Sequence, residues 1–359
     1  VPAVSAPAQS SAGAMTVSQV VNAVSDSVVA INTEVQTTNF FMQQVTGQAA
    51  GSGVIISQDG YLLTNNHVIE NATKVSVTLK NGESYDAQLV GGDSSYDIAV
   101  LKIEAEGLQP VSVGDSDNLQ VGESVVAIGN PLGELTWTMT NGIISALNRE
   151  INTDGNPQNM LQTNAAINSG NSGGPLFDMD GNVIGVTSAK YSGSTSSGTT
   201  IEGLGFAIPI NGALRVAYDL VEYGYVKTAY LGIQIRDLTA EASGYYGLPV
   251  GPRVEVVEEG SCAEKAGVQV GDIITNFNGV AVESRNDLSA QLKKVNAGDT
   301  VEMVVYRNGE EITLTVTLDE KPQTTETTTE DAQAQDPNQG SQMPTIPDEF
   351  QDFWNYFGN

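Results

Sequence analysis

Apolar residues recur at helical spacing through Val17, Val20, Val21 and Val24, then give way to a Val/Ala/Ile run that predicts a strand over 28–31. Short strand-like runs follow at 51–57, 60–63 and 73–79, the last closed by a Lys-Asn-Gly-Glu-Ser turn at 80–84. The same texture continues at 97–103, 124–128, 142–147 and 183–188. Many short strands without regular strand–helix alternation predict antiparallel barrels rather than a doubly wound sheet. A second unit begins near Ala229. It carries Tyr-Leu-Gly-Ile at 230–233, a strand over 253–257, helices over 262–266 and 284–294, and a hairpin over 300–318 turned by Arg-Asn-Gly-Glu.

Length and composition sharpen this picture. With 359 residues, the chain exceeds the span of one core, and 40% hydrophobic residues with 38 glycines suit a turn-rich, mainly β protein. The expected division is a flexible linker over 1–16, a first domain over 17–222, a second over 228–320, and a disordered acidic tail over 321–359. A net charge of −28 excludes nucleic acid as a partner and argues against adsorption to anionic lipid. No run of about 20 apolar residues occurs. Because Val1 is not an initiator Met, a mature or truncated chain is expected, its export signal or membrane anchor having stood upstream. Near the C-terminus, Phe350, Phe353, Trp354 and Phe357 share one helical face, readable as an unstructured sticky end or as a docking segment. The single cysteine, Cys262, cannot form an internal disulfide and reads as a small buried hydrophobe.

The candidate chemistry is nucleophilic. His67, the only histidine, follows a strand in Leu-Leu-Thr-Asn-Asn-His-Val-Ile. Asp97 stands at a polar turn that feeds an apolar strand, where a carboxylate can be buried against an imidazole. Ser172 lies in Asn-Ser-Gly-Asn-Ser-Gly-Gly-Pro-Leu, whose glycines let the backbone turn sharply and the hydroxyl project. The N–H groups of Gly170 and Ser172, with Asn171 between them, are the natural oxyanion donors. The elbow of α/β-hydrolases is also Gly-x-Ser-x-Gly, but its partners run Ser, Asp, His; here the order is His67, Asp97, Ser172. No Cys/His cluster or phosphate-binding Gly-Lys-Ser/Thr loop occurs, so neither metal, other cofactor nor ATP is expected.

Together these motifs, with Glu-Gly-Leu-Gly-Phe-Ala-Ile-Pro-Ile at 202–210 and the downstream Tyr-Leu-Gly-Ile module, resemble the HtrA/DegP serine proteases over roughly residues 17–320. The resemblance implies a chymotrypsin-like domain of two perpendicular barrels, about six strands each, followed by an α+β PDZ domain. It implies that His67, Asp97 and Ser172 form the triad, with Ser188 supporting Asp97 unless it is an ordinary strand serine. Ala165, Ala166 and Ile167, with Leu204, Gly205 and Phe206, would line a small apolar pocket that selects cleavage after Val, Ala or Leu. Asn164 stands where relatives often carry an acid. Asn171, rather than an aspartate, precedes the nucleophile, which argues against activation by a newly cut N-terminus.

For the second domain the resemblance implies strand addition of a peptide with a hydrophobic C-terminus. Tyr230, Leu231 and Gly232 would direct amides at its carboxylate, and Ile233 and Ile235 would line the first pocket; the bland alternative is a mere strand entrance. A homotrimer is also implied, with Phe40 and Phe41 serving the interface, a neighbouring active site or only a local core. The expected activity is ATP-independent degradation of unfolded polypeptides outside the cytoplasm, in a bacterial envelope or surface setting, regulated by peptide binding to the PDZ domain. A chaperone or adaptor acting through the peptide groove is the alternative from another class.

Overall fold

Val17–Val24 forms helix α1, started by a capping box: Gln19 N–H donates to the Thr16 hydroxyl while Gln19 Oε1 accepts from Thr16 N–H at 2.9 Å. Val20 and Val24 are its buried face. The computed structural model describes residues 15–38, 44–130, 137–153, 156–189, 203–238, 243–245 and 247–321. Most of the 1–16 linker, Phe40, Phe41 and the aromatic C-terminal segment therefore lie outside the described residues. Two units divide the chain, Val1–Val226 and Lys227–Asn359.

The first unit opens with β1 (Val28–Thr38), β2 (Gln44–Ile55) and β3 (Tyr61–Thr64), then α2 (Asn66–Ile69), β4 (Ala72–Thr78), β5 (Ser84–Asp86), β6 (Gln88–Asp93) and β7 (Ile98–Lys102). Their order is β5-β4-β1-β2-β3-β7-β6, all antiparallel. Only Ala87 separates β5 from β6, and its N–H donates to Val75 O at 3.0 Å. The two are thus halves of one broken strand that pairs with β4 at one end and β7 at the other, which closes the barrel. Val29, Ile31, Ile55, Leu62 and Leu101 fill it.

The second barrel uses β8 (Ser112–Val113), β9 (Ser124–Gly129), β10 (Thr138–Thr153), β11 (Asn156–Thr163), β12 (Pro175–Phe177), β13 (Asn182–Thr187) and β14 (Gly205–Pro209). Because β12 pairs with both β9 and β13, six strands close into a ring, and β8 lies parallel on the start of β13. Val125, Ile144, Leu161, Leu176 and Ile184 pack inside. Helix α3 (Ile210–Tyr223) then crosses both barrels: Ala213, Leu214, Ala217 and Leu220 are buried, and the helix packs on β6 and β7 as well as β13 and β14. Gly224, at φ 78°, ends it with an N–H to Leu220 O. The double β-barrel expected from the sequence is present.

The second unit contains β15 (Ala229–Tyr230), β16 (Ile233–Leu238), β17 (Gly251–Val257), α4 (Cys262–Lys265), β18 (Ile273–Phe277) and β19 (Val280–Ala281). Helix α5 (Arg285–Leu292), β20 (Thr300–Arg307), β21 (Glu310–Thr317) and β22 (Asp319–Glu320) complete it. The main sheet runs β16-β17-β18-β20-β21, with β16 at its edge. Its core holds Leu231, Val254, Ile274, Phe277, Leu288, Met303 and Val316.

One charge lies inside this unit. Asp272 is fully buried; Arg307 donates to it from Nε at 2.6 Å and from Nη2 at 2.7 Å, and Gln269 N–H adds a third bond at 2.9 Å. Removing the guanidinium strands a carboxylate in the core. Arg307→Ala is expected to cost about 3–5 kcal/mol in urea unfolding of the full chain; a loss under about 1 kcal/mol would mean that solvent screens this pair.

Candidate active site

Strand β3 ends at Thr64, and the chain turns through buried Asn65 into α2, which carries His67. Across from it, Asp97 sits at the start of β7 with a left-handed φ of 54° and is 1% exposed. A buried carboxylate requires donors, and it has them. His67 Nδ1 lies 2.9 and 2.8 Å from its two oxygens, and His67 N–H donates to Oδ1 at 3.0 Å. The Ser188 hydroxyl donates to Oδ2 at 3.3 Å. A neutral ring that donates from Nδ1 leaves Nε2 as an acceptor.

The turn before Asp97 is held from several sides. Ser95 and Tyr96 donate their N–H groups to Asp93 Oδ1, an Asx turn. Asn65 Nδ2 donates to Asp97 O at 2.9 Å. From the second barrel, buried Gln158 donates to Ser95 O at 2.9 Å, and Arg215 of α3 lies 5.5 Å over the Tyr96 ring. Sequence reasoning passed over Asn65, Gln158 and Arg215; nothing in their own neighbourhoods marks them, because their partners are distant in the chain.

Ser172 lies on a loop stitched to the first barrel by Ser52. Ser52 N–H donates to Ser172 O at 2.8 Å, and its hydroxyl donates to Gly170 O at 2.6 Å while accepting from Asn130 N–H. Gly173 has φ 81°, and a Cβ there would stand 2.2 Å from Thr64 Oγ1 and 2.3 Å from Ser52 O. Only glycine lets the serine loop approach the strand that precedes His67 so closely. Asn171 N–H donates to Asn168 O at 3.0 Å, whereas among the described residues the Gly170 and Ser172 N–H groups have no acceptor. The Ser172 hydroxyl accepts from Ala189 N–H at 2.9 Å, and no hydrogen bond joins it to His67.

The expected pocket residues fall into two segments that β11 and β14 bring side by side, with Thr163 opposite Gly205 and Gln162 opposite Phe206. Ala165, Ile167 and Phe206 are buried, Leu204 is half-buried and Ala166 is exposed. A Cβ on Gly205 would meet Ile167 Cγ1 at 2.7 Å. Ala166 O accepts from Thr140 Oγ1 and Asn171 Nδ2. Asn164 Oδ1 accepts from Ile143 N–H at 2.8 Å, a role an amide fills as well as an acid. A polar cavity of about 640 Å³, absent from the sequence reading, opens beside Ser169 and Gly170 and is lined by Asn32, Glu34, Gln48 and Lys74.

In the second unit, the carbonyls of residues 230–232 all turn inward. Tyr230 O accepts from Cys262 Sγ at 3.1 Å, Leu231 O from Ala263 N–H at 3.2 Å, and Gly232 O from Glu258 N–H at 2.9 Å. The Leu231 and Gly232 N–H groups donate to nothing among the described residues. Beyond them Ile233 and Ile235 lie on the edge strand β16, half-buried against the core. Burial pushes the Cys262 thiol above its ordinary range. The native chain is therefore expected to react with iodoacetamide at neutral pH at least about tenfold more slowly than the urea-unfolded chain. Equal rates would contradict the buried, donating thiol.

Similarity to known proteins agrees with this layout. Residues 51–186 match the trypsin-like peptidase domain, and residues 229–318 match the PDZ domain. The chain is 42% identical over 277 residues to the periplasmic pH-dependent serine endoprotease DegQ of Escherichia coli (strain K12), covering 76% of this chain and 60% of that one. It is 44% identical over 286 residues to the serine protease Do-like HtrB of Bacillus subtilis (strain 168), covering 74% and 61%. Among solved structures, the HtrA-type protease AlgW with a decapeptide superposes at a TM-score of 0.69 with 34% identity, over 86% of this chain and 100% of that one. The chain spans 54–62% of the length of the curated relatives it matches.

Proposed function

The chain belongs to the DegP/DegQ/HtrA family of serine proteases, and from that membership we propose that it is an ATP-independent endopeptidase degrading unfolded polypeptides outside the cytoplasm. The observation that carries the reading is the buried Asp97 carboxylate clamped on the His67 ring beside the Ser172 loop.

In this mechanism the Ser172 hydroxyl leaves the Ala189 amide, by rotation of its side chain, and meets His67 Nε2. Its oxygen attacks the scissile carbonyl carbon as its proton passes to Nε2. Asp97 holds the ring in the tautomer that accepts there. The oxyanion falls to the Gly170 and Ser172 N–H groups, whose freedom in this structure suits that task. His67 then protonates the leaving amine, and water attacks the acyl-enzyme by the same route. The pocket formed by Ala165, Ala166, Ile167, Leu204, Gly205 and Phe206 carries no charge, which favours Val, Ala or Leu before the cleaved bond.

The edge strand and free amides of the second unit suit capture of a hydrophobic peptide C-terminus by strand addition. The HtrA-type protease AlgW is also solved with a decapeptide, which fits peptide binding by a family member. We include a homotrimer in the proposal on family grounds; sedimentation at about three chain masses supports it, and a monomer at all concentrations removes it.

Digestion of unfolded casein by the chain and by Ser172→Ala tests the activity. The parent is expected to cut after small apolar residues, and the variant to lose about 10⁴-fold or more of the rate. Cuts confined to positions after Lys or Arg would overturn the pocket assignment. No cleavage by either protein, even with an apolar C-terminal peptide present, would leave a chaperone or adaptor role as the better account.

A further inference from the structure

A carboxylate stands beside the loop that carries the Leu231 and Gly232 amides. Glu258 directly follows β17, and its N–H bond to Gly232 O places it against the loop. Tyr230 donates its phenol hydrogen to Glu258 Oε1 at 2.7 Å, while Oε2 lies 3.6 Å from the position a Cβ on Gly232 would occupy. That bond, reinforced by burial, pushes the Tyr230 phenol up to about 12, so the donor persists across ordinary pH. Among the described residues no Lys or Arg pairs with Glu258. Arg236 of β16 pairs with Glu255, and Lys265 of α4 lies 3.9 Å from Asp319. The carboxylate is thus oriented by one neutral hydroxyl and is not neutralised, in a chain of net charge −28.

We propose that Glu258 is a specificity-determining residue of the peptide groove, which weakens capture of ligands whose terminal carboxylate seats on the Leu231 and Gly232 amides. This rests on the reading of the second unit as a binder of peptide C-termini. The two carboxylates repel across the loop, so a ligand must offset that repulsion with an apolar last side chain against Ile233 and Ile235. Selection for strongly apolar ends follows from the electrostatics of the loop as much as from the pocket. Glu258→Gln keeps the shape and the oxygen that accepts from Tyr230 but removes the charge.

The test uses the full chain and a fluorescein-labelled Gly/Ser peptide of about eight residues ending in Leu-Val, made as the free acid and as the C-terminal amide. In about 20 mM salt, Glu258→Gln is expected to bind the free acid about tenfold more tightly than the parent; the gain should shrink towards unity at about 500 mM salt. The amide should bind both proteins alike. Glu258→Ala should shift free-acid affinity in the same direction, and thermal melts of all three proteins control for folding. If the parent prefers the free acid yet neither variant changes its affinity, the role of Glu258 is overturned while the groove stands. If Glu258→Gln, like the parent, does not distinguish acid from amide, the groove reading fails, and the proposal with it.

Discussion

A carboxylate removed from water must find donors or lose its charge, and that requirement at Asp97 organises the first unit. Three donors meet it: the His67 backbone, the His67 ring and the Ser188 hydroxyl. They come from both barrels, and the turn that presents Asp97 is gripped by both as well. Asn65 holds its carbonyl from the first, Gln158 holds Ser95 from the second, and Arg215 covers Tyr96 from the helix that straps them together. Two barrels are needed because no single one supplies all these contacts. The left-handed backbone at Asp97, strained for a residue with a Cβ, persists because its surroundings over-determine it.

The serine loop and the second unit use the same backbone device. In each, neighbouring groups engage carbonyl oxygens while adjacent amide hydrogens have no acceptor among the described residues. Ser52 and Thr187 hold the carbonyls around Ser172, and Cys262, Ala263 and Glu258 hold those of residues 230–232. A pair of unengaged amides suits an anion: a transient oxyanion in the proposed chemistry of one unit, a terminal carboxylate in the proposed binding of the other. The second unit adds the Glu258 carboxylate beside its amides, which in the proposed binding would make that site selective rather than merely receptive.

Much of this was legible where the signal is local. The spacing of Val17, Val20 and Val24 marked α1, and the Asn-Gly turns marked the hairpins at residues 80–84 and 307–310. His67 and Asp97 stood out through their strand-end positions, and the structure brings their side chains together. Strand lengths were read too short. β1 and β2 run on to Thr38 and back from Gln44, and β10 spans Thr138–Thr153, because their outer halves lack the alternation that a half-buried strand shows. Helix α3 was passed over although Ile210, Ala213, Leu214, Ala217 and Leu220 have helical spacing. Gln158, Ser52 and Glu258 were invisible for another reason: their partners lie 63, 118 and 28 positions away, and only the folded chain shows which polar residues meet.

The account depends on one bond, and the single histidine makes that bond directly observable. Proton NMR of the chain should give one strongly deshielded, exchange-protected imidazole resonance, the Nδ1 proton of His67 donating to Asp97. In Asp97→Asn the same resonance should move upfield and broaden as it exchanges with water. A parent spectrum without that resonance, or a variant spectrum in which it is unchanged, would contradict the central role given to the buried carboxylate.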